Sequence, residues 1–162
     1  MTDRPTTQLA QRVLEAYREA ALTLVAAESC TGGLLTVALT DIPRASAVVD
    51  RGFVVYSNAA KMEVLGVNPE WIVQHGAVSA EVAEAMAAGA LEKSGADVAL
   101  SITGIAGPSG GSVQKPVGLV YHCCHQRGQV PLIVRNLFTG DREEIRRKSV
   151  EKALELLLKV VV

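Results

Sequence analysis

These 162 residues have few cysteines, almost no net charge and no long apolar run. The three cysteines are Cys30, Cys123 and Cys124, two of them adjacent, and they cannot build the disulfide framework of a small secreted domain. Sixteen Lys and Arg against seventeen Asp and Glu leave a net charge of −1. That balance offers no electrostatic footprint for nucleic acid or an anionic membrane. No apolar stretch approaches the roughly 20 residues that cross a bilayer. The opening MTDRPTTQLAQ has neither the basic segment nor the apolar core of a secretory leader. Repeats, low-complexity tracts and linkers are also missing. A single cytoplasmic domain over 1–162, long enough to bury its own core, is the expectation.

What is present alternates between helix and strand. Leu9, Val13, Ala16, Tyr17 and Ala20 recur at helical spacing, which predicts a helix over 6–20. LTLVAAE (22–28) reads as a strand that feeds a helix over 31–40. VVDRGFVVYS (48–57), with its β-branched and aromatic residues, reads as a second strand. NAAKMEVLG is a short helix closed by Gly66, and PEWIVQHG a helical turn. Ser79 caps a helix over 80–94 whose small residues suit close packing against a sheet or a second subunit. ADVALSITG (96–104) is a buried strand. VGLVYHCCHQ and VPLIVRNLF (117–126 and 130–138) form a hairpin around Arg127 and Gly128. Asp141 with Glu144 makes a capping box for a final helix. Its Ile145, Ala153, Leu156, Leu157 and Val160 share one face. Five strands with interleaved helices imply an α/β fold with a mixed sheet covered on both faces.

Chemistry concentrates where the first strand meets its helix, in VAAESCTGGLL (25–35). A residue there projects from the sheet edge beside backbone N–H groups that could hold an oxyanion, which suits Ser29 as a nucleophile. The plainer alternative is a helix-capping hydroxyl. Gly32 and Gly33 favour the first, because glycines opening a helix cost stability unless something must approach the backbone. Cys30 is a rival nucleophile or else a small buried hydrophobe. None of its candidate bases, His75, His122 and His125, lies in a recognisable catalytic context. In YSNAAK, Asn58 and Lys61 can share a helix face, and a neutral lysine can take a serine's proton with Tyr56 as relay. HCCH (122–125) invites a metal, but strand alternation turns its four side chains to opposite faces, so no metal is expected. TGIAGPSGGSVQKPVG (103–118) carries five glycines and two prolines between strands. Loops of that length are usually functional or disordered, and successive N–H groups could cradle an anion, with Arg142 as a further phosphate contact.

AESCTGG, RGFVVYSNAAK, LGV, QHGAVS, SGADVALSITGIAGPSGGS, KPVG and TGDREEIR stand in the order and spacing of the CinA carboxy-terminal domain family. The sequence resembles that family from about residue 8 to about residue 160. The resemblance implies a three-layer α/β/α fold with a mixed, mostly parallel five-stranded sheet. It implies a nicotinamide-nucleotide amidase that turns nicotinamide mononucleotide into nicotinic acid mononucleotide and ammonia. Ser29 is then the nucleophile, Lys61 and Tyr56 its activating partners, with N–H groups from Cys30, Thr31 and Gly32 around the oxyanion. Thr103, Gly104, Gly107, Gly110 and Gly111 would line the pocket, and Arg142 would reach a small pyridine nucleotide. No cofactor is implied, and a homodimer is expected from the family. Lacking the amino-terminal domain of longer CinA proteins, the chain reads as a stand-alone amidase. Two positions depart from the family pattern: Arg44 stands where glycine is usual, and Ser109 replaces a glycine in AGPSGG. Two other readings use the same residues. One is a β-lactam-type serine acylase, suggested by YSN but lacking S-x-x-K; the other is a nucleotide-binding module without turnover.

Overall fold

The structure is a computed structural model that describes residues 3–161. Its strands are the β-branched and small apolar runs anticipated from sequence: β1 Leu24–Glu28, β2 Val49–Val54, β3 Val98–Gly104, β4 Leu119–Gln126 and β5 Leu132–Leu137. They form one sheet in the order β2-β1-β3-β4-β5. β1 pairs parallel with β2 and β3, while β4 pairs antiparallel with both β3 and β5. Four of the five strands therefore run one way, which matches the mixed, mostly parallel expectation.

Strand alternation divides the core into two. Leu24, Ala26, Leu100, Ile102, Val120 and Cys124 face the layer made by α1 (Arg4–Glu19), α2 (Leu34–Thr40) and α6 (Arg142–Val161). Val25, Ala27, Ala99 and Cys123 face α3 (Asn58–Leu65), α4 (Pro69–His75) and α5 (Ala80–Glu92). This parity decides the site. Residue 28 belongs with 24 and 26, so Glu28 turns toward α2; residues 101 and 103 turn toward α5.

The helix ends follow their local signals. Asp3 caps α1 by accepting from the Thr6 N–H at 3.0 Å, which starts the helix two residues before the periodicity suggests. Ala20, expected on the apolar face, is the exposed C-cap. Asp141 and Glu144 make the reciprocal capping box, each bond 2.9 Å. The small-residue helix α5 lies against the sheet and α3. A Cβ on its Gly89 would stand 2.0 Å from the Leu65 carbonyl oxygen, so glycine lets α3 sit this close. Arg44 occupies the left-handed region at φ 68°, ψ 18°, where an L-side chain costs about 1–2 kcal/mol. A glycine would adopt this conformation without that cost. Ser109 is not among the positive-φ residues, so its replacement of glycine carries no such cost.

Candidate active site

Where β1 ends, the chain does not pass straight into helix. The anticipated 31–40 helix begins only at Leu34, after a turn closed by the Gly32 N–H donating to the Ser29 carbonyl at 3.1 Å. Gly32 and Gly33 both have positive φ, at 58° and 100°. Only such a left-handed pair lets the chain turn back so tightly, which is why two glycines open this helix.

The N–H groups at the start of α2 are taken by Glu28, which is fully buried. Its carboxylate accepts from the N–H groups of Gly33, Leu35 and Thr36 and from the hydroxyls of Thr31 and Thr36, at 2.6 to 3.2 Å. A carboxylate supplied from the strand thus does the work of an N-cap and satisfies the positive helix end. Two assignments from sequence change accordingly. The Thr31 side chain turns to Glu28 instead of the pocket, and the Gly32 N–H is committed to the turn. Of the three donors expected around an oxyanion, those of Cys30 and Thr31 stay outside the Glu28 cap.

Ser29 is pinned on both sides. Its own N–H donates to the Ile102 carbonyl at 3.0 Å, and the Val55 N–H donates to the Glu28 carbonyl at 2.9 Å. Lys61, on the buried side of α3, donates from Nζ to Ser29 Oγ at 3.0 Å and to the Tyr56 carbonyl at 3.2 Å. Lys61 is 2 % exposed, and among the described residues no carboxylate pairs with it. Burial pulls its pKa down from the ordinary lysine value, opposed only by the Cys30 sulfur. A lysine of this kind can accept a proton. Cys30 lies beside it with its thiol pushed up to about 12, chiefly by burial. The thiolate that would make it a nucleophile is therefore scarce at neutral pH.

Ser29, Cys30, Tyr56 and Lys61 share one cavity of about 320 Å³ with Thr103, Gly104, Gly107, Gly110 and Arg142. Asn58, Ala77, Val78, Ile105, Ala106 and Ser109 complete it. Gly32 and Gly111, assigned to substrate from sequence, are exposed and outside the lining. The Thr103 hydroxyl donates to the Ala77 carbonyl at 2.8 Å and so ties β3 to the turn before α5. Arg142 donates to the Gly107 carbonyl at 2.7 Å and toward the Tyr56 hydroxyl at 3.4 Å. The phenol of Tyr56, 63 % exposed, is thereby engaged by Arg142 at the rim, and it is the Tyr56 backbone that meets Lys61. The glycine-rich loop is held by its own contacts: Ser112 and Lys115 exchange bonds, and the Lys115 ammonium donates to the His75 carbonyl.

The HCCH strand lies in the core. His122 is fully buried, with Nε2 2.8 Å from the Ser149 carbonyl and Nδ1 3.0 Å from Asn136 Nδ2. A carbonyl can only accept, so Nε2 carries the proton and Nδ1 accepts from the amide. Burial lowers the His122 pKa to about 4, which keeps the ring neutral. Cys123 and Cys124 pack into opposite cores.

Comparison with known proteins is consistent across sequence and fold. A family model for the CinA C-terminal domain matches residues 6–161. The nicotinamide-nucleotide amidohydrolase PncC of Escherichia coli K12 is 46 % identical over 157 residues, 97 % of this chain and 95 % of that protein. The competence/damage inducible protein CihA of Agrobacterium tumefaciens superposes with a TM-score of 0.97 at 45 % identity, covering 99 % of this chain and 98 % of that one. A CinA superfamily protein of Klebsiella pneumoniae superposes with a TM-score of 0.93 at 38 % identity, covering 96 % and 97 %.

Proposed function

The chain belongs to the CinA C-terminal domain family, and on that basis we propose that its cavity hydrolyses the carboxamide of nicotinamide mononucleotide through Ser29 and Lys61. The protein is a nicotinamide-nucleotide amidohydrolase, the activity named for its relatives. Ser29 Oγ attacks the carboxamide carbon as its proton passes to Lys61 Nζ. The oxyanion rests on the Cys30 and Thr31 N–H groups. Lys61 returns the proton to the departing nitrogen, ammonia leaves, and an acyl-enzyme remains. Neutral Lys61 then takes a proton from water, and attack on the ester releases nicotinic acid mononucleotide and restores Ser29.

The observation that carries this mechanism is the 3.0 Å contact between a buried lysine and the serine hydroxyl. A module that only binds nucleotide has no use for an unpaired buried lysine, which is costly to keep; an enzyme needs it as a base. The same reading takes the active unit to be a single cytoplasmic domain that works as a homodimer. Free cysteines at positions 30, 123 and 124 are compatible with a reducing compartment, and sedimentation tests the dimer.

Ammonia release from nicotinamide mononucleotide is the direct assay. Ser29→Ala is expected to lose nearly all turnover while still binding substrate, and Cys30→Ala to keep most of it. The reverse pattern, or rapid inactivation by iodoacetamide mapped to Cys30, would move the nucleophile to the thiol.

A further inference from the structure

Arg146 lies one turn along α6 from Arg142 but has a different target. Its Nε donates to the Cys30 carbonyl and its Nη2 to the Thr31 carbonyl, both at 3.1 Å. These carbonyls belong to two successive peptides of the nucleophile turn, and the guanidinium forks across them from α6, in the layer that also holds α2. The side chain also packs against Gly32, where a Cβ would stand 3.2 Å from Nη2. Glycine at 32 thus meets the turn's positive φ and leaves room for this arginine.

The consequence follows from peptide geometry. In a planar trans peptide the C=O and N–H point in opposite directions. The sole cis bond among the described residues is Gly107–Pro108, so the Cys30–Thr31 peptide is trans. A guanidinium holding the Cys30 oxygen therefore aims the Thr31 N–H away from α6. The same bond polarises the peptide and strengthens that N–H as a donor. Glu28 holds Thr31 by its hydroxyl and takes backbone N–H groups only from Gly33 onward, so the Thr31 N–H is not one of the donors in its cap.

We propose that Arg146 is a positioning residue for the hydrolysis: from α6 it fixes the direction of the turn's N–H donors on which the oxyanion rests. This deepens the serine amidase reading and rests on it. Arg146 touches neither substrate nor the reacting atoms, and its effect should be confined to the tetrahedral transition state. The Ser29–Lys61 contact, built by β1 and α3, is expected to stay as it is.

The test compares Arg146→Ala and Arg146→Lys with the parent enzyme, using nicotinamide mononucleotide and ammonia release. Losing one oxyanion donor costs about 10²–10³ in kcat, so a donor merely loosened should cost about 30-fold in Arg146→Ala. KM should stay within about threefold, because the ground-state amide leans little on these donors. The midpoint of kcat/KM against pH should not move, since Lys61 is untouched. Lysine can reach one carbonyl but not fork across two, so Arg146→Lys should fall between. Arg146 also lines a groove of about 550 Å³ with Arg142 and Arg147, open to small solutes. Millimolar guanidinium chloride should therefore restore part of the Arg146→Ala kcat, and sodium chloride at equal concentration should not. A parental kcat in Arg146→Ala, a loss carried by KM, or a shifted pH midpoint would each overturn the proposal. If the alanine variant does not fold, Arg146→Lys decides alone: a lowered kcat with unchanged KM and midpoint supports it, and a parental kcat overturns it. Ser29→Ala keeps the two questions apart, because turnover without Ser29 sinks the serine mechanism whatever Arg146 does.

Discussion

A lysine in water carries its proton far above neutral pH, and Lys61 must lose it to act as a base. Burial lowers its pKa, so kcat/KM is expected to rise with pH through a midpoint below the ordinary 10.5 and then level off. Lys61→Arg should be inactive, because arginine stays charged. An active arginine variant would make position 61 an electrostatic rather than a proton-accepting one. The same shift has a stability consequence. Between the folded pKa and 10.5 the unfolded chain binds more protons, so stability rises with pH across that window; below it the whole burial penalty is present. Urea unfolding of Lys61→Met should lack that slope. Tyr56 supports a different prediction from the one its sequence suggests. Its backbone carbonyl holds Lys61, and its phenol faces Arg142. Tyr56→Phe keeps the first contact and loses only the second. Turnover should stay within about tenfold, well short of the 10²–10⁴ lost with a general acid or base. A larger fall in kcat would reinstate the phenol as a proton carrier.

Among the elements, β1 and α2 are joined by a carboxylate rather than by packing alone. Glu28 receives five hydrogen bonds from Thr31, Gly33, Leu35 and Thr36, with no water-facing surface. Bonds to a charged group are worth about 1.5–3 kcal/mol each and are not additive. Glu28→Gln keeps the shape but removes the charge and turns an NH₂ toward groups that donate. It is expected to lower unfolding free energy by at least about 2 kcal/mol in urea titration. A change under about 0.5 kcal/mol would mean that the threonines and water can cap α2 without it. The kcat should fall too, because the capped turn carries Ser29.

For the molecule as a whole, the cavity gathers residues from the turn after β1, from α3, the turn before α5, β3, the 105–118 loop and α6. With the glycine-rich loop and Arg142 lining the same cavity as Ser29, selectivity for the phosphorylated nucleotide is expected. Contacts to a remote phosphate can hold the reacting carbon over Ser29, so losing them should lower kcat as well as raise KM. Nicotinamide mononucleotide is expected to exceed nicotinamide riboside by at least about tenfold in kcat/KM, roughly 1.4 kcal/mol. Arg142→Ala should narrow that ratio by weakening the mononucleotide alone. Equal turnover of the riboside would end the phosphate role of the glycine-rich loop and Arg142.

Periodicity and turn chemistry are local, and what they govern was legible in the chain: five strands, the α6 capping box, the Ser79 cap, the tight turn at Gly128. The pairing of Ser29 with Lys61 was raised by YSNAAK and implied by the family resemblance, but the 3.0 Å that joins them depends on where α3 rests against α5, and there Gly89 sets the approach. Glu28 could be read as part of a site, yet its role as a helix cap depends on strand parity and on a helix that begins three residues late. Arg146 left no readable signal among the charges of α6. Its partners are carbonyls 115 and 116 residues away, and a backbone acceptor has no signature in side-chain sequence. Local residue preference therefore determined the elements and their ends. Contact between layers decided which polar groups became base, cap and clamp, because burial and hydrogen-bond partners exist only once the sheet is covered.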